Sequence, residues 1–519
     1  MNKSYTKWII AFTVVLCALI ELIDSTIVNV ALAQLMGNLG ATLGEVSWVV
    51  ASYAIANVIV VPMAGWLSQQ FGRRNYYVGS VLLFTLASFL CGHATSIWEL
   101  VGYRFLQGIG GGALMATSQA ILFETFEPHE RGMASALFGL GVVVGPTVGP
   151  SLGGYIVDTF SWPWIFYVNI PIGLFAAFMA FTFIGNSKFE KKTAAKDVDW
   201  LGIGLLIAGI GSLQLVLEQG DREGWFESGF ILSFTAIAVF GLIGFIWREL
   251  TCENPIVNLR ILKNTNLAVG TILSFVLGFG LFASVFVYPV FVQRILGFTA
   301  LQTGRSLMPG ALLTAFCMPM VGKALQAGAN PKYLIVFGFA IFASFTYLTS
   351  EVLSTVASVD DFFFPLLLRG LGMGLLFVPL TALSLSTLAP KDIAQGSGLT
   401  SMMRQLGGSF SVAIVAIVLE NRSGQHRNDL LSYLNSSNSI MTNRVAGLQQ
   451  SFMAKGFSAQ QALSQAYAAI ERTLTVQGTI LSYQDVFTYV GMFFIFCIPF
   501  VLLVKVNKAA KPVSVGDAH

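Results

Sequence analysis

The chain has 519 residues, of which 55% are hydrophobic and only 11% are charged, and its net charge is +3. A soluble globular domain carries roughly 25% charged residues, so this composition excludes a water-soluble protein and predicts an all-α polytopic membrane protein. The net charge is too small to indicate a nucleic-acid partner. The five cysteines form no CxxC pair, so neither a zinc site nor a disulfide framework is indicated.

Apolar stretches of about 20 residues, the length that crosses a bilayer, follow one another along the chain. We number them helices 1 to 14, and they are centred near residues 22, 56, 84, 109, 144, 174, 208, 238, 279, 311, 341, 375, 406 and 494. The first stretch follows Lys3 and Lys7 and so looks like a signal peptide. Because Glu21 and Asp24 interrupt it and many spans follow, we interpret it as a retained membrane helix.

The distribution of lysine and arginine predicts the orientation of these helices. With the N-terminus inside, 18 of the 29 basic residues fall in inside segments, and the short outside loops carry only Arg222 and Arg294. Both termini are therefore predicted to be cytoplasmic. The long polar segment 421–482 is then placed on the outer side of the membrane.

Short motifs recur at an offset of eight helices, which indicates an internal repeat. Gln107-Gly108 in helix 4 matches Arg369-Gly370 in helix 12, and each pair is followed by glycines at the same spacing. The Gly-x-x-x-Gln sequence that starts at Gly65 after helix 2 also recurs after helix 10. The shared offset predicts two six-helix halves, helices 1–6 and 9–14, with helices 7 and 8 inserted between them.

This repeat also predicts the boundaries of the regions along the chain. They are an N-terminal half at 1–185, a cytoplasmic linker with the inserted helices at 186–264, a C-terminal half at 265–507 that includes the periplasmic loop 421–482, and a cytoplasmic tail at 508–519.

Two carboxylates, Glu21 and Asp24, lie three residues apart in helix 1, where an ionisable side chain is costly and suggests a function. At 1.5 Å per residue, Asp24 lies about 24 Å along helix 1 from Trp8, which is just outward of the middle of the membrane. Arg104 lies about 10 Å along helix 4 from its outer end, so the two depths are compatible. An Asp24–Arg104 pair that a proton breaks would couple protons to a conformational change. The alternative is a permanent ion pair that only holds the helices together.

Glu21 has no cationic partner that the sequence assigns. A carboxyl without such a partner is buried at lower cost with its proton bound, as a proton carrier requires. The alternative is a residue of a water-exposed cavity without a role in coupling.

Helix 5 carries glycines at four-residue spacing, which predicts a smooth stripe where another helix backbone approaches closely. Prolines within it remove hydrogen bonds and permit bending. The residues of this motif are Gly145, Pro146, Gly149, Pro150, Gly153 and Gly154. Such a contact suits a helix that moves during alternating access; ordinary close packing is the alternative.

The loop between helices 2 and 3 suggests a cytoplasmic gate. Gly65 begins the motif, and Gly72 permits a sharp turn. Arg73 and Arg74 are predicted to face the cytoplasm. There they are placed to pair with acids after helix 4 such as Glu124. The alternative is a loop that only follows the positive-inside rule.

Together these motifs resemble the major facilitator superfamily and, more closely, its fourteen-span drug:proton antiporters, the EmrB/QacA group. The segment 22–32 resembles the helix 1 motif of that group, Arg104-x-x-Gln107-Gly108 its helix 4 motif, and Gly149-Pro150-x-x-Gly153-Gly154 its helix 5 antiporter motif. Two further segments are typical of the group: Trp164-Ile165-Phe166-x-x-Asn169-x-Pro171-Ile172-Gly173 and Arg404-Gln405-Leu406-Gly407-Gly408. Gln69 departs from the family, which usually has an acid there.

The resemblance implies a proton-coupled exporter of lipophilic or amphipathic drugs in the inner (cytoplasmic) membrane, working by alternating access without a cofactor. It is closest to EmrB-type inner-membrane multidrug efflux pumps, which work with a periplasmic adaptor and an outer-membrane channel. The segment 421–482 is then a candidate docking element. A solvated loop with a surface helix is the alternative, because Ala459, Leu463, Ala466 and Ile470 recur at helical spacing.

Two other classes of function were weighed against export of drugs. One is a facilitator or exporter of a specific metabolite such as a siderophore, and the other is a membrane-embedded enzyme or sensor. The sequence shows no catalytic arrangement: the four histidines are scattered, and neither an HExxH nor a GxxxxGK[ST] motif occurs. We therefore predict a transporter that is not an enzyme, with small lipophilic substrates, protons and lipid as partners and no metal site.

Overall fold

The structure is a computed structural model that describes residues 3–185, 197–434 and 438–503, and within these ranges the chain is helical without a strand. Residues 186–196 of the predicted linker and the predicted tail 508–519 lie outside the described residues.

Each predicted apolar stretch has its centre within a helix, and we number these helices α1 to α14. Their bounds are α1 Lys3–Leu39, α2 Leu43–Phe71, α3 Arg73–Gly92, α4 Ile97–Thr125, α5 Arg131–Thr159, α6 Asn169–Phe183 with a preceding turn Trp164–Tyr167, α7 Trp200–Leu206 and Ser212–Gln219 joined by the π-helical Ile207–Gly211, α8 Gly229–Thr251, α9 Thr265–Arg294, α10 Ala300–Gln326, α11 Pro331–Val352, α12 Phe363–Ser386, α13 Ile393–Leu431 and α14 Ala459–Leu503. A further helix, Ser439–Ala454, which we call the loop helix, precedes α14.

Thirteen helices in the described part of the chain are long and apolar enough to cross a membrane. Of α1 to α14, only α4 is missing from this set, because glycines and polar side chains lower its hydropathy although its 29 residues span about 43 Å. It packs against α1, α2 and α3, so its polar groups are shielded from lipid. The count of fourteen spans and the cytoplasmic termini stay predictions.

The helices pack as two groups, which are the N-terminal half α1–α6 and the C-terminal half α9–α14. The two groups meet along α5 and α10 and along α2 and α13, while α7 and α8 pack on each other and α7 also contacts α2 and α13. We call the end of the bundle at which α1 begins the inner end, which is the end predicted to face the cytoplasm. The opposite end is the outer end.

Glycines let the two halves touch backbone to backbone at the inner end. A Cβ atom added to Gly132 of α5 would lie 2.7 Å from the carbonyl oxygen of Gly322 on α10, and one added to Gly65 of α2 would lie 2.9 Å from the backbone nitrogen of Gln395 on α13. In addition, Arg131 donates to the carbonyl oxygen of Ser386 on α12 at 3.3 Å. The inner end is therefore closed in this conformation.

The last two membrane helices are much longer than a bilayer requires. α13 has 39 residues and α14 has 45, or about 58 and 67 Å at 1.5 Å per residue, against a hydrocarbon core of about 30 Å. Together with the loop helix, they form an outer projection over residues 421–482.

The segment 421–482 is thus largely helical rather than an irregular loop. The helical spacing that begins at Ala459 belongs to α14 itself and not to a separate surface helix. Ala462 and Ala466 are buried where α14 meets the loop helix. Hydropathy did not reveal these extensions because it detects only the portion of a helix that lies in lipid.

Candidate functional site

Asp24 is at the centre of a buried network inside the N-terminal half. Its side chain is 0% exposed, and its Oδ2 accepts a hydrogen bond from Nη1 of Arg104 at 2.6 Å. Its Oδ1 accepts from Nε2 of Gln107 at 2.9 Å and from Nδ2 of Asn169 at 2.7 Å. The carboxylate is thereby bound to α4 and α6 by one charged and two neutral donors.

Arg104 is equally buried and makes contacts beyond the ion pair. Its Nη1 also donates to Oε1 of Gln107 at 2.6 Å, and its Nε donates to the carbonyl oxygen of Val49 on α2 at 3.3 Å. The guanidinium lies over the ring of Tyr53 at 4.1 Å from its centroid. Asp24 and Arg104 therefore form the pair that their depths along the two helices predicted. The role of this pair in proton coupling stays a prediction.

Glu21 has a different environment although it is one turn away. Its side chain is buried, and its Oε1 accepts from Nδ2 of Asn57 at 2.9 Å and from the hydroxyl of Tyr53 at 3.2 Å. Both donors are neutral. Its Oε2 is buried without a hydrogen-bond partner in the described part of the chain, so this carboxyl has a free oxygen where Asp24 has none.

Arg404 of α13 connects the two halves close to Glu21. Its buried guanidinium lies over the rings of Phe138 on α5 and Phe377 on α12, at 5.7 and 5.2 Å from their centroids. Its Nη2 donates to the hydroxyl of Ser401, which donates in turn to Oε1 of Gln119 on α4 at 3.0 Å. The guanidinium of Arg404 lies within electrostatic reach of the Glu21 carboxyl, but no hydrogen bond or ion pair joins the two side chains in the described part of the chain.

Several other buried polar atoms belong to helices that pack around the two halves. They have no hydrogen-bond partner among the described residues and come from α2, α4 and α13: the hydroxyls of Ser52, Thr117 and Ser397 and Nε2 of Gln119. Buried polar groups of this kind mark places where water or a ligand is bound. Of these residues, Gln119 lies at the interface between the halves, because its Oε1 accepts from Ser401 on α13.

The glycine motif of α5 packs on α1. A Cβ atom added to Gly149 would lie 2.1 Å from Oγ1 of Thr26, and one added to Gly153 would lie 2.6 Å from Cγ1 of Ile27. Gly145 faces Leu22 in the same way. The stripe thus holds α1, which carries both carboxylates, directly against α5.

The remaining residues of this motif lie within the same helix. Pro146 and Pro150 are internal to α5, and Gly154 is buried. Whether α5 moves along α1 during transport stays a prediction.

The loop between α2 and α3 reaches partners in both halves. Gly72 adopts a φ of 84° between the two helices, a conformation that glycine adopts without strain. Arg73 pairs with Glu124 at the end of α4 and donates to the carbonyl oxygen of Gly185 at 3.0 Å. Arg74 lies over the ring of Phe181. The arginines therefore tie α3 to α4 and α6, whereas Gly65 makes the contact across to α13.

An ion pair that the sequence did not indicate lies at the same end. Nζ of Lys7, at the start of α1, is 2.6 Å from Oε1 of Glu130, just before α5. Both side chains are partly exposed, so the pair adds little stability by itself. Its position nevertheless links the start of α1 to the loop between α4 and α5.

The repeat motifs of α4 and α12 occupy equivalent positions in the two halves. A Cβ atom added to Gly108 would lie 2.5 Å from the carbonyl oxygen of Tyr53 on α2, and one added to Gly370 would lie 2.0 Å from that of Gly310 on α10. Gln107 and Arg369, which precede these glycines, both point to the first helix of their own half.

Within the residues that the structure describes, no group of three or more histidine, cysteine, aspartate or glutamate side chains is placed to hold a metal ion.

Comparison with known proteins agrees with this arrangement. The family model described as Major Facilitator Superfamily matches residues 14–412. The chain is 32% identical over 483 residues to the Multidrug export protein EmrB of Haemophilus influenzae, covering 92% of each chain. It is 32% identical to the Fatty acid resistance protein FarB of Neisseria gonorrhoeae, covering 94% of each chain. It is 30% identical to the Multidrug transporter protein MdtP of Bacillus subtilis, covering 84% of this chain and 80% of the relative.

Among solved structures, the human organic anion transporter MFSD10 has a TM-score of 0.61 at 14% identity, covering 95% of this chain and 99% of that one. The proton:xylose symporter XylE has a TM-score of 0.60 at 14% identity, covering 96% and 97%. At this identity the likeness shows the fold alone. The family model and the curated relatives show that this chain belongs to the major facilitator superfamily and is a multi-pass inner-membrane transporter rather than an enzyme.

Proposed function

We propose that the protein is a proton-coupled secondary exporter of lipophilic or amphipathic drugs and toxic compounds that works by alternating access. Relatives named as multidrug exporters align with most of the chain. The observation that carries the proposal is Glu21, a buried carboxyl with one unpartnered oxygen inside the N-terminal half, within electrostatic reach of Arg404 from the other half. An ionisable group at such a place is a candidate to bind and release a proton.

The two carboxylates of α1 then have different tasks. Asp24 is held by the guanidinium of Arg104 and by two amide groups, so its charge is balanced and its oxygens are occupied. Glu21 receives hydrogen bonds from neutral groups only. We assign proton transport to Glu21, and to the Asp24–Arg104 pair the task of holding α1, α4 and α6 in register.

Arg404 links the protonation of Glu21 to a change of conformation. When Glu21 is ionised, its charge attracts the guanidinium of Arg404 across the interface between the halves. When Glu21 binds a proton, this attraction disappears while the neutral hydrogen bonds of Glu21 remain possible. Protonation therefore shifts the balance between the conformations that bring α1 and α13 together and those that separate them.

The energy of one proton is sufficient for export. A membrane supplies about 2.3 kcal/mol per charge per 100 mV, so a total proton-motive force of about 150 mV yields roughly 3.5 kcal/mol per proton. That free energy supports a concentration gradient of a few hundred-fold.

The test of this proposal is transport by the purified protein in lipid vesicles with an imposed pH gradient. A panel of lipophilic compounds of different charge is offered, and accumulation is followed with and without a protonophore. We expect gradient-driven accumulation of at least one compound, which the protonophore abolishes. Transport of a single metabolite that equilibrates regardless of the pH gradient would contradict the proposal and indicate a facilitator.

We also propose that the outer projection binds a periplasmic adaptor that leads to an outer-membrane channel. An ion pair and a hydrogen bond stiffen its base: Asp485 on α14 is 2.5 Å from Nε of Arg422 and is hydrogen-bonded to Nε2 of His426 on α13 at 2.7 Å. Beyond this base, the large side chains of Tyr433 and Ile440 are 69% and 79% exposed. Exposed apolar groups on a rigid polar support are typical of a protein–protein contact.

For this partner we expect a difference between cells and vesicles. Replacing Ile440 by Asn leaves the helices of the membrane region untouched, so transport by the purified protein should be unchanged. Efflux across the whole cell envelope should fall about tenfold if the side chain is central to the contact. The matched control is Met453→Gln at the other end of the loop helix. Equal loss of transport in cells and in vesicles would instead assign the projection to folding.

A further inference from the structure

The inner end of the inserted helices contains a buried carboxyl that the transport mechanism does not use. Glu249 lies in the last turn of α8, and its side chain is 0% exposed. Its Oε2 accepts a hydrogen bond from the backbone nitrogen of Val257 at 3.1 Å. Its Oε1 is buried without a hydrogen-bond partner among the described residues. One oxygen of a fully buried carboxyl is thus left without a donor.

Asp199, the residue before α7, brings a second carboxyl group to this place. It is buried and caps α7, because its Oδ1 accepts from the backbone nitrogen of Gly202 at 3.0 Å. A Cβ atom added to Gly202 would lie 2.7 Å from Oδ2 of Asp199 and 3.0 Å from Oε1 of Glu249. The two carboxyl groups therefore face the same small space, which any side chain at position 202 would fill.

The charges around this space do not balance if both carboxyl groups are ionised. Nε of Arg248 donates to both oxygens of Asp199 at 3.0 Å, so this guanidinium is already bound to one carboxylate. The guanidinium of Arg260, in the loop after α8, donates to two backbone carbonyl oxygens at the end of α8, both at 2.9 Å. The charged side chains that act most strongly on Glu249 are those of Asp199 and Arg248, and together the three would carry one negative charge in excess.

A single proton removes this excess. A buried carboxyl beside a second carboxylate is less costly as a neutral acid than as an anion. A metal ion does not fit the space, because both oxygens of Asp199 are occupied, and no group of three ligating side chains is placed to hold one within the described ranges. We propose that Glu249 and Asp199 form a proton-binding site at the inner end of the inserted helices. The proton is bound to Oε1 of Glu249, which faces Oδ2 of Asp199.

This site holds the chain segment that leads to the C-terminal half. Val257, whose backbone nitrogen donates to Glu249, lies between α8 and α9, and its side chain is buried. Loss of the proton places two negative charges around one small space and weakens the attachment of this segment to α8. The junction between the inserted helices and α9 therefore responds to the pH on the inner side.

The experiment is thermal unfolding of the purified full-length protein in detergent between pH 5 and pH 8, for the wild type and for Glu249→Gln. A carboxyl that keeps its proton in the folded state, but is ionised in the unfolded chain, stabilises the fold at low pH and loses this contribution as the pH rises. Glutamine is neutral at every pH and keeps an oxygen for the hydrogen bond from Val257. The fall of the midpoint from pH 5 to pH 8 should therefore be smaller in Glu249→Gln by about 2 °C.

Two further variants make the result specific. Asp199→Asn keeps a cap for α7 but removes the facing charge, so its midpoint should also fall less than that of the wild type. Glu253→Gln removes an exposed carboxyl of the neighbouring loop and should follow the wild type. A wild-type fall in Glu249→Gln, or in Asp199→Asn if the first variant does not fold, would overturn the proposal. A reduced fall in Glu253→Gln of the same size would also overturn it, and neither outcome depends on whether the protein transports drugs.

Discussion

Glu21→Gln is expected to abolish accumulation of substrate against a gradient while the protein still inserts and binds substrate. Glutamine keeps the shape of the side chain and can still accept from Asn57 and Tyr53, so the local packing is preserved. It has no proton to exchange, and it is neutral beside Arg404 in every conformation. In vesicles with an imposed pH gradient, we expect gradient-driven accumulation to fall by roughly a few hundred-fold, the gradient that one proton supports.

The control for this prediction is Glu21→Asp, which keeps a carboxyl group one methylene farther from its partners. It should retain coupling at a lower rate. Substrate exchange at equal pH on both sides separates binding from coupling, and Glu21→Gln should keep that exchange. If Glu21→Gln accumulates substrate normally and Asp24→Asn does not, the proton site is Asp24, and our assignment of the two carboxylates is wrong.

Two simple arguments from the sequence predicted the helices and the pairing of Asp24 with Arg104. Long apolar stretches in lipid are necessarily helical, so the centres of all the helices were visible from hydropathy. Depth along a helix is nearly fixed at 1.5 Å per residue, and the matching depths of Asp24 and Arg104 were enough to predict their contact. Both arguments need only local geometry.

The sequence did not predict which residues complete the site. Asn169 reaches Asp24 from α6, and no spacing rule relates the two positions, although the motif of that segment included the asparagine. Arg404 comes near Glu21 only because α13 packs against the N-terminal half, although the two residues are almost 400 positions apart along the chain. Such contacts follow from how the halves assemble, which periodicity does not encode.

Hydropathy alone also described α4 and the outer parts of α13 and α14 incompletely. α4, whose centre near residue 109 the sequence predicted, is less apolar than the other spans, yet its neighbours shield its polar groups. The outer parts of α13 and α14 are too polar to be recognised as continuations of membrane helices, yet they are helical. In each case the surroundings of the helix, rather than its own composition, decide its structure.

The largest loss of stability is expected from Arg104→Ala. It leaves the carboxylate of Asp24 buried with only the amides of Gln107 and Asn169, and removal of one partner from a buried ion pair costs about 3–5 kcal/mol. It also removes the guanidinium that lies over Tyr53, which donates to Glu21. We expect the variant to unfold at a clearly lower temperature in detergent and to be inactive in vesicles.

Adding Asp24→Asn to Arg104→Ala should recover much of this loss. Asparagine is neutral, so no uncompensated charge remains, and its carbonyl oxygen can still accept from Asn169 or Gln107. The double variant should therefore be more stable than Arg104→Ala alone, which is the non-additivity expected only of residues that share an interaction. The measurement is a double-mutant cycle of unfolding midpoints. The control is Glu124→Gln plus Arg104→Ala, since Glu124 pairs with Arg73 and shares no partner with Arg104. If the losses for Asp24 and Arg104 simply add, the pair observed at 2.6 Å contributes no coupling energy. Our assignment of the pair as the element that holds α1, α4 and α6 in register would then have to be abandoned.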